Sequence, residues 1–278
     1  MLDTEPTQYD VFDVDPYGTC APFIDSVLKK AKNGSLICLT STDMRVLAKH
    51  NFLECYRRYH SFFPSNNCQK EVALRIFIHF VFQKALDLKM HVRPVASLSL
   101  EHYIRVFFIV DTNGCQKAMD DLHLCGYAQH CPQCFNFTST NAFDKSGKCN
   151  PKMNSQCSVC SSEMKFGGPL WLGALHDDEF LKAMLVAVQN VELVDSNRVK
   201  AILNLVLNEV SEAIFPYEPT KICKSIKCPN PKMGDLWACI ENSGFKISYC
   251  LSEKGKIKTN ADYKTFIVIF DFLQKNFL

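Results

Sequence analysis

The chain has 278 residues, a formal net charge of +2, 47% hydrophobic residues and 22% charged ones. That is room for one large domain or two ordinary ones, with the balance of a globular protein. The near-neutral total excludes reading nucleic-acid binding from overall charge, although a local basic face would suffice for it.

The first ten residues, MLDTEPTQYD, have neither the basic start nor the apolar middle of a signal peptide. Tyr9–Val14 is a short apolar-rich strand ending at Asp15. Ala21–Ala31 has helical spacing in Phe23, Val27, Leu28 and Ala31, and Asn33-Gly34 is expected to stop it. Ser35–Thr40 is a compact apolar run, too short for a helix, and reads as a buried strand. Val46–Tyr59 and Glu71–Leu88 read as helices. The longest apolar stretch, Val72 to Leu86, is broken by Arg75, His79, Gln83 and Lys84, short of the roughly 20 apolar residues of a membrane span. His91–Ser97 and Tyr103–Val110 read as closing strands in an antiparallel pair. The alternation implies an α/β sheet covered on both faces.

From Asp111 to Phe166 the chain is rich in Cys, Asn, Ser and Gly and poor in long apolar runs, so it needs a staple. Helices return with Glu179–Val188 and Ser196–Val210, for which Asp178 and Asp195 are candidate N-caps. Gly234–Asn242 reads as a further helix. Phe245–Tyr249 and Lys256–Lys258 flank a turn at residues 252–255, which together suggest a winged-helix-like end.

The chain carries 15 cysteines. In the absence of a secretory signal they are expected to be reduced thiols of a cytosolic or nuclear protein. Most, such as Cys38 and Cys55, lie in apolar runs and read as small buried hydrophobes. Cys131-Pro132-Gln133-Cys134 and Cys157-Ser158-Val159-Cys160 differ. They form two C-x2-C pairs about 22 residues apart, and two such bites complete a tetrahedral Zn²⁺ site. Four thiolates leave no open position, so the expected metal is structural. Cys149 and His130 are expected to lie outside the ligand set.

Asp15-Pro16-Tyr17-Gly18 stands where a strand ends, and open α/β sheets bind ligands at the carboxyl ends of their strands. An exocyclic amine on a base is a poor nucleophile, because its lone pair is delocalised into the ring. Asp15 offers a charged acceptor to its N–H groups, the Pro16 carbonyl offers a second, and Tyr17 could stack on the base. The same four residues are also ordinary turn chemistry. His176-Asp177 reads as a helix start rather than a catalytic pair, and Trp171 as a core anchor beside Gly167-Gly168. Lys221, Lys224, Lys227, Lys232, Lys246, Lys254, Lys256 and Lys258, interleaved with Phe245 and Tyr249, form either a phosphate-contacting face or a merely solvated one.

The segment Phe12 to Gly18 resembles motif IV of the tRNA guanine-26 N2-dimethyltransferase family. Further similarity follows in order: Ala21 to Ser26, Gly34 to Met44, Glu71-Val72-Ala73-Leu74-Arg75, Ser97-Leu98-Ser99, Tyr103 to Phe107, Gly167 to Trp171, His176-Asp177, Gly244 to Ser248 and Ile257-Lys258-Thr259. The resemblance implies the C-terminal half of a class I methyltransferase sheet over residues 1–110. Over 111–278 it implies a family-specific α+β domain with its zinc segment at 131–160. It also implies S-adenosylmethionine as methyl donor, tRNA as partner with no DNA or membrane partner, and Asp15, Pro16 and Tyr17 as the catalytic grip on the guanine amine. Thr42 and Asp43 could line the same pocket, or form a loop that caps a helix.

The sequence also departs from that pattern. Motif IV begins near residue 9, and the Gly-rich turn and ribose-binding acid expected on earlier strands are not found. A fragment, a mis-started chain or a degraded copy is therefore expected. The alternative to an enzyme is a catalytically incomplete, zinc-containing tRNA-binding module. A methyltransferase acting on another base amine is a second rival, disfavoured by the match from Gly167 to Asp177. His60 stands where the family usually has Gly, Gln69-Lys70 where it has Cys-His, and Asn260 where it has Asp.

Overall fold

The computed structural model describes residues 7–48, 51–149 and 152–277. Strand β1 (Tyr9–Val14) is followed by a 3₁₀ turn and helix α1 (Ile24–Lys30), which carries the chain to β2 (Ala31–Ser41) in parallel beside β1. Short helices α2 (Met44–Leu47) and α3 (Phe52–Tyr59) lead to the long α4 (Gln69–Asp87). Strands β3 (His91–Leu100) and β4 (Tyr103–Asp111) then pair antiparallel, and β4 inserts next to β2, giving the order β1-β2-β4-β3. The expected α/β sheet is thus present.

Helix α4 is buried on nearly every side, including Val72, Leu74, Ile76, Phe77, Ile78 and Phe82. A helix apolar all round must be covered all round. One cover is β3. The other is a second sheet, ordered β6-β5-β7, built from β5 (Cys125–His130), β6 (Phe137–Asn141) and β7 (Lys165–Trp171). Gly167-Gly168 lets β7 touch the chain that follows α3. A Cβ on Gly167 would lie 2.5 Å from the Phe62 carbonyl oxygen. In its absence Gly168 N–H reaches that carbonyl at 2.8 Å, and Ser61 Oγ donates to the Pro169 carbonyl at 2.7 Å. Trp171 is buried in the same core, as expected of an anchor.

After α5 (Cys115–Asp120), which precedes β5, the remaining helices are α6 (Asp178–Asn190), α7 (Ser196–Leu207), α8 (Pro219–Ser225), α9 (Met233–Asn242) and α10 (Tyr263–Phe277). Between α9 and α10 lies the hairpin of β8 (Ile247–Tyr249) and β9 (Ile257–Thr259). A second core joins α8, α9, α10 and this hairpin to Cys131, Cys134, Cys157 and Met164. The cysteine segment is therefore packed against the C-terminal helices.

Several expectations need correction. Helix α1 stops at Lys30, and Asn33-Gly34 lies inside β2, where Gly34 at φ +84° marks the irregular register between β1 and β2. The expected Val46–Tyr59 helix is two helices, the second capped by Asn51 accepting from Glu54 N–H; Lys49 and His50 lie outside the described residues. Helix α6 is capped by Asp177, not Asp178: Asp177 Oδ1 accepts from Phe180 N–H at 2.9 Å. The Asp195 cap holds. Helices α8 and α10 and the second sheet were not anticipated.

Lys256 and Lys258 do not belong to an exposed face. Lys258 is 2% exposed, with Nζ 3.0 Å from Glu71 and 3.0 Å from Glu209. Glu71 also pairs with Arg75 at 2.9 Å and accepts from Ser252 Oγ at 2.7 Å, while Arg75 donates to the carbonyls of Trp171 and Gly173. Two carboxylates and two cations thus balance between α4, β9 and the end of α7. Lys256 is held by Glu253 and Glu218. The Glu71-to-Arg75 motif therefore marks an interior ion cluster.

Candidate active site and metal centre

Asp15-Pro16-Tyr17-Gly18 leaves the end of β1 beside the end of β2, where Thr42 and Asp43 begin the next loop. The loops are laced together. Gly18, at φ +83°, donates its N–H to Thr42 Oγ1 at 2.8 Å, and Thr42 N–H returns a bond to the Gly18 carbonyl at 2.8 Å. The left-handed backbone at Gly18 suits glycine and aims its N–H across the gap. Ser41 Oγ donates to the same carbonyl at 3.3 Å.

Below the loops stands Tyr59, fully buried at the end of α3. Its hydroxyl is 2.7 Å from Thr19 Oγ1 and 3.3 Å from Asp43 Oδ2. Arg58 donates to the same Asp43 oxygen at 2.6 Å. Burial lifts the Asp43 carboxyl above its ordinary range, while Arg58 and Tyr59 oppose that lift. Burial likewise pushes the Tyr59 phenol well up, which keeps it protonated. Thr42 and Asp43 thus sit beside the Asp15 loop, but both are occupied in holding it. The sequence reading missed Arg58 and Tyr59, since their partners lie 15 and 40 residues away.

Asp15 and Tyr17 are open, with Pro16 half-buried between them. Asp15 is exposed and makes no hydrogen bond or ion pair among the described residues, and the Tyr17 ring stands fully in solvent. Behind them Arg105 on β4 grips both oxygens of Asp13 at 2.9 Å and donates to Thr40 Oγ1 at 2.7 Å. This ties β1, β2 and β4 together just beneath the loop. The arrangement offers a carboxylate, a carbonyl and an aromatic face on a braced turn, which can accept hydrogen bonds from a planar amine.

The two cysteine pairs converge. The Sγ atoms of Cys131, Cys134, Cys157 and Cys160 all lie within 4.8 Å of one another, with Cys131–Cys160 at 3.4 Å and Cys134–Cys157 at 3.6 Å. A tetrahedron with Zn–S bonds of about 2.3 Å has edges of roughly 3.8 Å. Both pairs sit on the same kind of turn. Phe135 N–H bonds to the Cys131 carbonyl at 3.0 Å and Ser161 N–H to the Cys157 carbonyl at 2.9 Å, with Phe135 and Ser161 both left-handed. Burial raises the Cys131 thiol. At Cys160 burial acts in the same sense, but hydrogen bonds from Ser162 and the neighbouring thiols bring it down to about 6. The donor set fits a closed, structural zinc site. Cys149 is exposed and His130 is buried against Phe137, and neither joins the set.

Asp177 is taken by its cap and by an ion pair with Arg93, and His176 Nδ1 accepts from Ser97 N–H at 3.2 Å. Neither is presented as a catalytic pair. Of the remaining lysines in the expected basic face, Lys221 pairs with Glu218 and Lys246 with Glu212, while Lys224, Lys227, Lys232 and Lys254 are exposed.

The family model described as N2,N2-dimethylguanosine tRNA methyltransferase matches residues 1–271. A tRNA (guanine(26)-N(2))-dimethyltransferase of Mus musculus is 30% identical over 268 residues, covering 92% of this chain and 40% of that protein. One from Methanosphaera stadtmanae is 31% identical over 250 residues, covering 89% and 62%. Among solved structures, the complex of Trm1 from Pyrococcus horikoshii with S-adenosyl-L-methionine superposes with a TM-score of 0.82 at 21% identity. That match covers 94% of this chain and 65% of the other. The chain spans about half the length of the curated relatives it matches.

Proposed function

Because the chain belongs to the N2,N2-dimethylguanosine tRNA methyltransferase family, we propose that it acts in S-adenosylmethionine-dependent dimethylation of the N2 amine of guanine 26 in tRNA. The observation that carries this is the Asp15 loop: an exposed acceptor set on a turn braced by Thr42 and Tyr59. In this reading the guanine leaves its stack and lies against Tyr17. The Asp15 carboxylate and Pro16 carbonyl accept the two amine N–H groups, which restores electron density to the nitrogen. Each transfer forms one N–C bond as the donor's S–C bond breaks, and in this reading Asp15 accepts the N–H proton released. The donor supplies the methyl group from its sulfonium. The Gly-rich turn and acidic residue that would hold it are not found in this sequence, so no contact to it is assigned to this chain.

None of the cysteines forms a disulfide among the described residues, which supports a reducing compartment, nuclear or cytoplasmic. No helix among the described residues is long and apolar enough to cross a membrane. A second reading rests on the four-cysteine site and the C-terminal helices packed against it. Here the chain holds tRNA through its zinc segment and C-terminal helices without transferring methyl groups itself.

The test is incubation of the 278-residue chain with unmodified tRNA and methyl-labelled S-adenosylmethionine, beside Asp15→Ala. Label at guanine N2 with the native chain alone supports the enzyme. A folded chain that binds tRNA and transfers nothing supports the second reading.

A further inference from the structure

The row of residues across the main sheet extends the candidate site sideways. Ser41, which leads into the Thr42 loop, pairs with Ile104, and Ile104 pairs in turn with Ser99. Ser99 therefore lies two strand spacings from Ser41, about 10 Å, at the same end of the sheet. The Ser99 side is not closed. A cavity of about 440 Å³ opens there, between the β3–β4 turn and the tip of the β8–β9 hairpin, lined by Lys70, Ser99, Glu101, Tyr249, Lys254 and Gly255 among others.

Two features of this cavity have no structural use in the chain itself. Ser99 is 2% exposed, and its hydroxyl finds no hydrogen-bond partner; such a group costs free energy unless something satisfies it. The ammonium groups of Lys70 and Lys254 make no ion pair or hydrogen bond among the described residues. The one lining acid, Glu101, is paired with Arg198 at 3.3 Å. Tyr249 is half exposed beside them, its ring 5.0 Å from that of Trp237. Hydroxyl, two cations and an aromatic edge are what a nucleotide of a ribose–phosphate strand requires.

We propose that this cavity is an RNA backbone subsite, taking a phosphodiester of the strand whose guanine enters the Asp15 loop, with Lys70 and Lys254 on the phosphate and Ser99 on a sugar or phosphate oxygen. The proposal rests on the function proposed above.

The test uses the full chain and fluorescein-labelled unmodified tRNA, with affinity followed across salt concentrations. The Lys70→Ala, Lys254→Ala double variant flattens the plot of log affinity against log salt by about one to two, and Lys182→Ala does not. Ser99→Ala weakens binding a few-fold without lowering the melting temperature, because its hydroxyl has no partner to lose. Acylation footprinting then finds Lys70 and Lys254 protected by tRNA. A chain that binds tRNA with the double variant unchanged in slope, and both lysines unprotected, overturns the subsite and leaves the functional reading standing. Equal protection by inorganic phosphate makes the cavity a free-anion site and also overturns it. A native chain with no tRNA affinity overturns both readings together.

Discussion

Lys258 Nζ on β9 lies 3.0 Å from Glu71 Oε1 on α4, both side chains are almost wholly buried, and 187 residues separate them. Removing the cation would leave Glu71 and Glu209 buried together, with Arg75 beside Glu71 and His176 beside Glu209 to balance them. Lys258→Ala is therefore expected to cost about 3–5 kcal/mol in urea unfolding. A variant within 1 kcal/mol of the native chain would mean that water reaches the cluster.

The same cluster sets an acid limit. Lys258 holds the Glu209 carboxyl down to about 2, against the desolvation that acts to raise it, and Glu71 is lowered in the same way. A depressed folded pKa contributes stability that is complete above the unfolded value, near 4.5, and is lost as pH falls through the folded value. The native chain should lose stability progressively from about pH 4.5 toward 2, and Lys258→Ala should have a flatter profile there. Zinc loss in acid affects both chains alike, so the difference between their profiles isolates the cluster.

Purified protein prepared without chelator is expected to contain one Zn²⁺ per chain by elemental analysis, and Cys157→Ser to contain none. Chelation should speed hydrogen exchange across residues 131–165 and in the α9–α10 core that the cysteines touch. A metal-free native preparation would refute the assignment.

Reading the sequence located the strongly periodic elements and both chemical motifs, and the omissions have physical causes. Phe266 to Phe270 is an unbroken aromatic and β-branched run that reads as readily as a strand, which hides the helical spacing of Tyr263, Phe266, Ile269, Phe270 and Leu273 that α10 buries. Strands β5 to β7 are short and rich in Gly, Thr and Ser, and exist because α4 needs a cover. Lys256 and Lys258 look solvated in their local context, since most of their acidic partners come from residues 71, 209 and 218. Cys131, Cys134, Cys157 and Cys160 were readable because metal-ligand spacing is local, and Asp15 because a strand end is.

His60 ends α3 in the left-handed region at φ +53°. A side chain there is strained where glycine is not. His60→Gly is expected to raise stability by about 0.5–1 kcal/mol, even though it gives up a tilted contact with Phe80. A lower melting temperature for the variant would show that the ring contact dominates.

Tyr59→Phe keeps the buried ring and removes the hydroxyl between Thr19 and Asp43. A loss of about 1–2 kcal/mol is expected. Faster hydrogen exchange at residues 17–20 and 42–44 should accompany it, because the two loops lose their common brace. Exchange unchanged in both loops would mean that the Gly18–Thr42 lacing alone is enough.

The Glu71–Lys258 pairing also dictates an order of events during synthesis. Helix α4 emerges from the ribosome well before β9, already committed to an interior place and carrying a carboxylate that until then has Arg75 as its cation. Its second cation is 187 residues downstream. While the intervening chain is synthesised, the nascent protein must hold that helix half-neutralised, with its apolar sides open to misassembly. Final closure waits for the hairpin that carries Lys258, so truncation or stalling before that point should leave a protein with its Asp15 loop made and its interior unlocked.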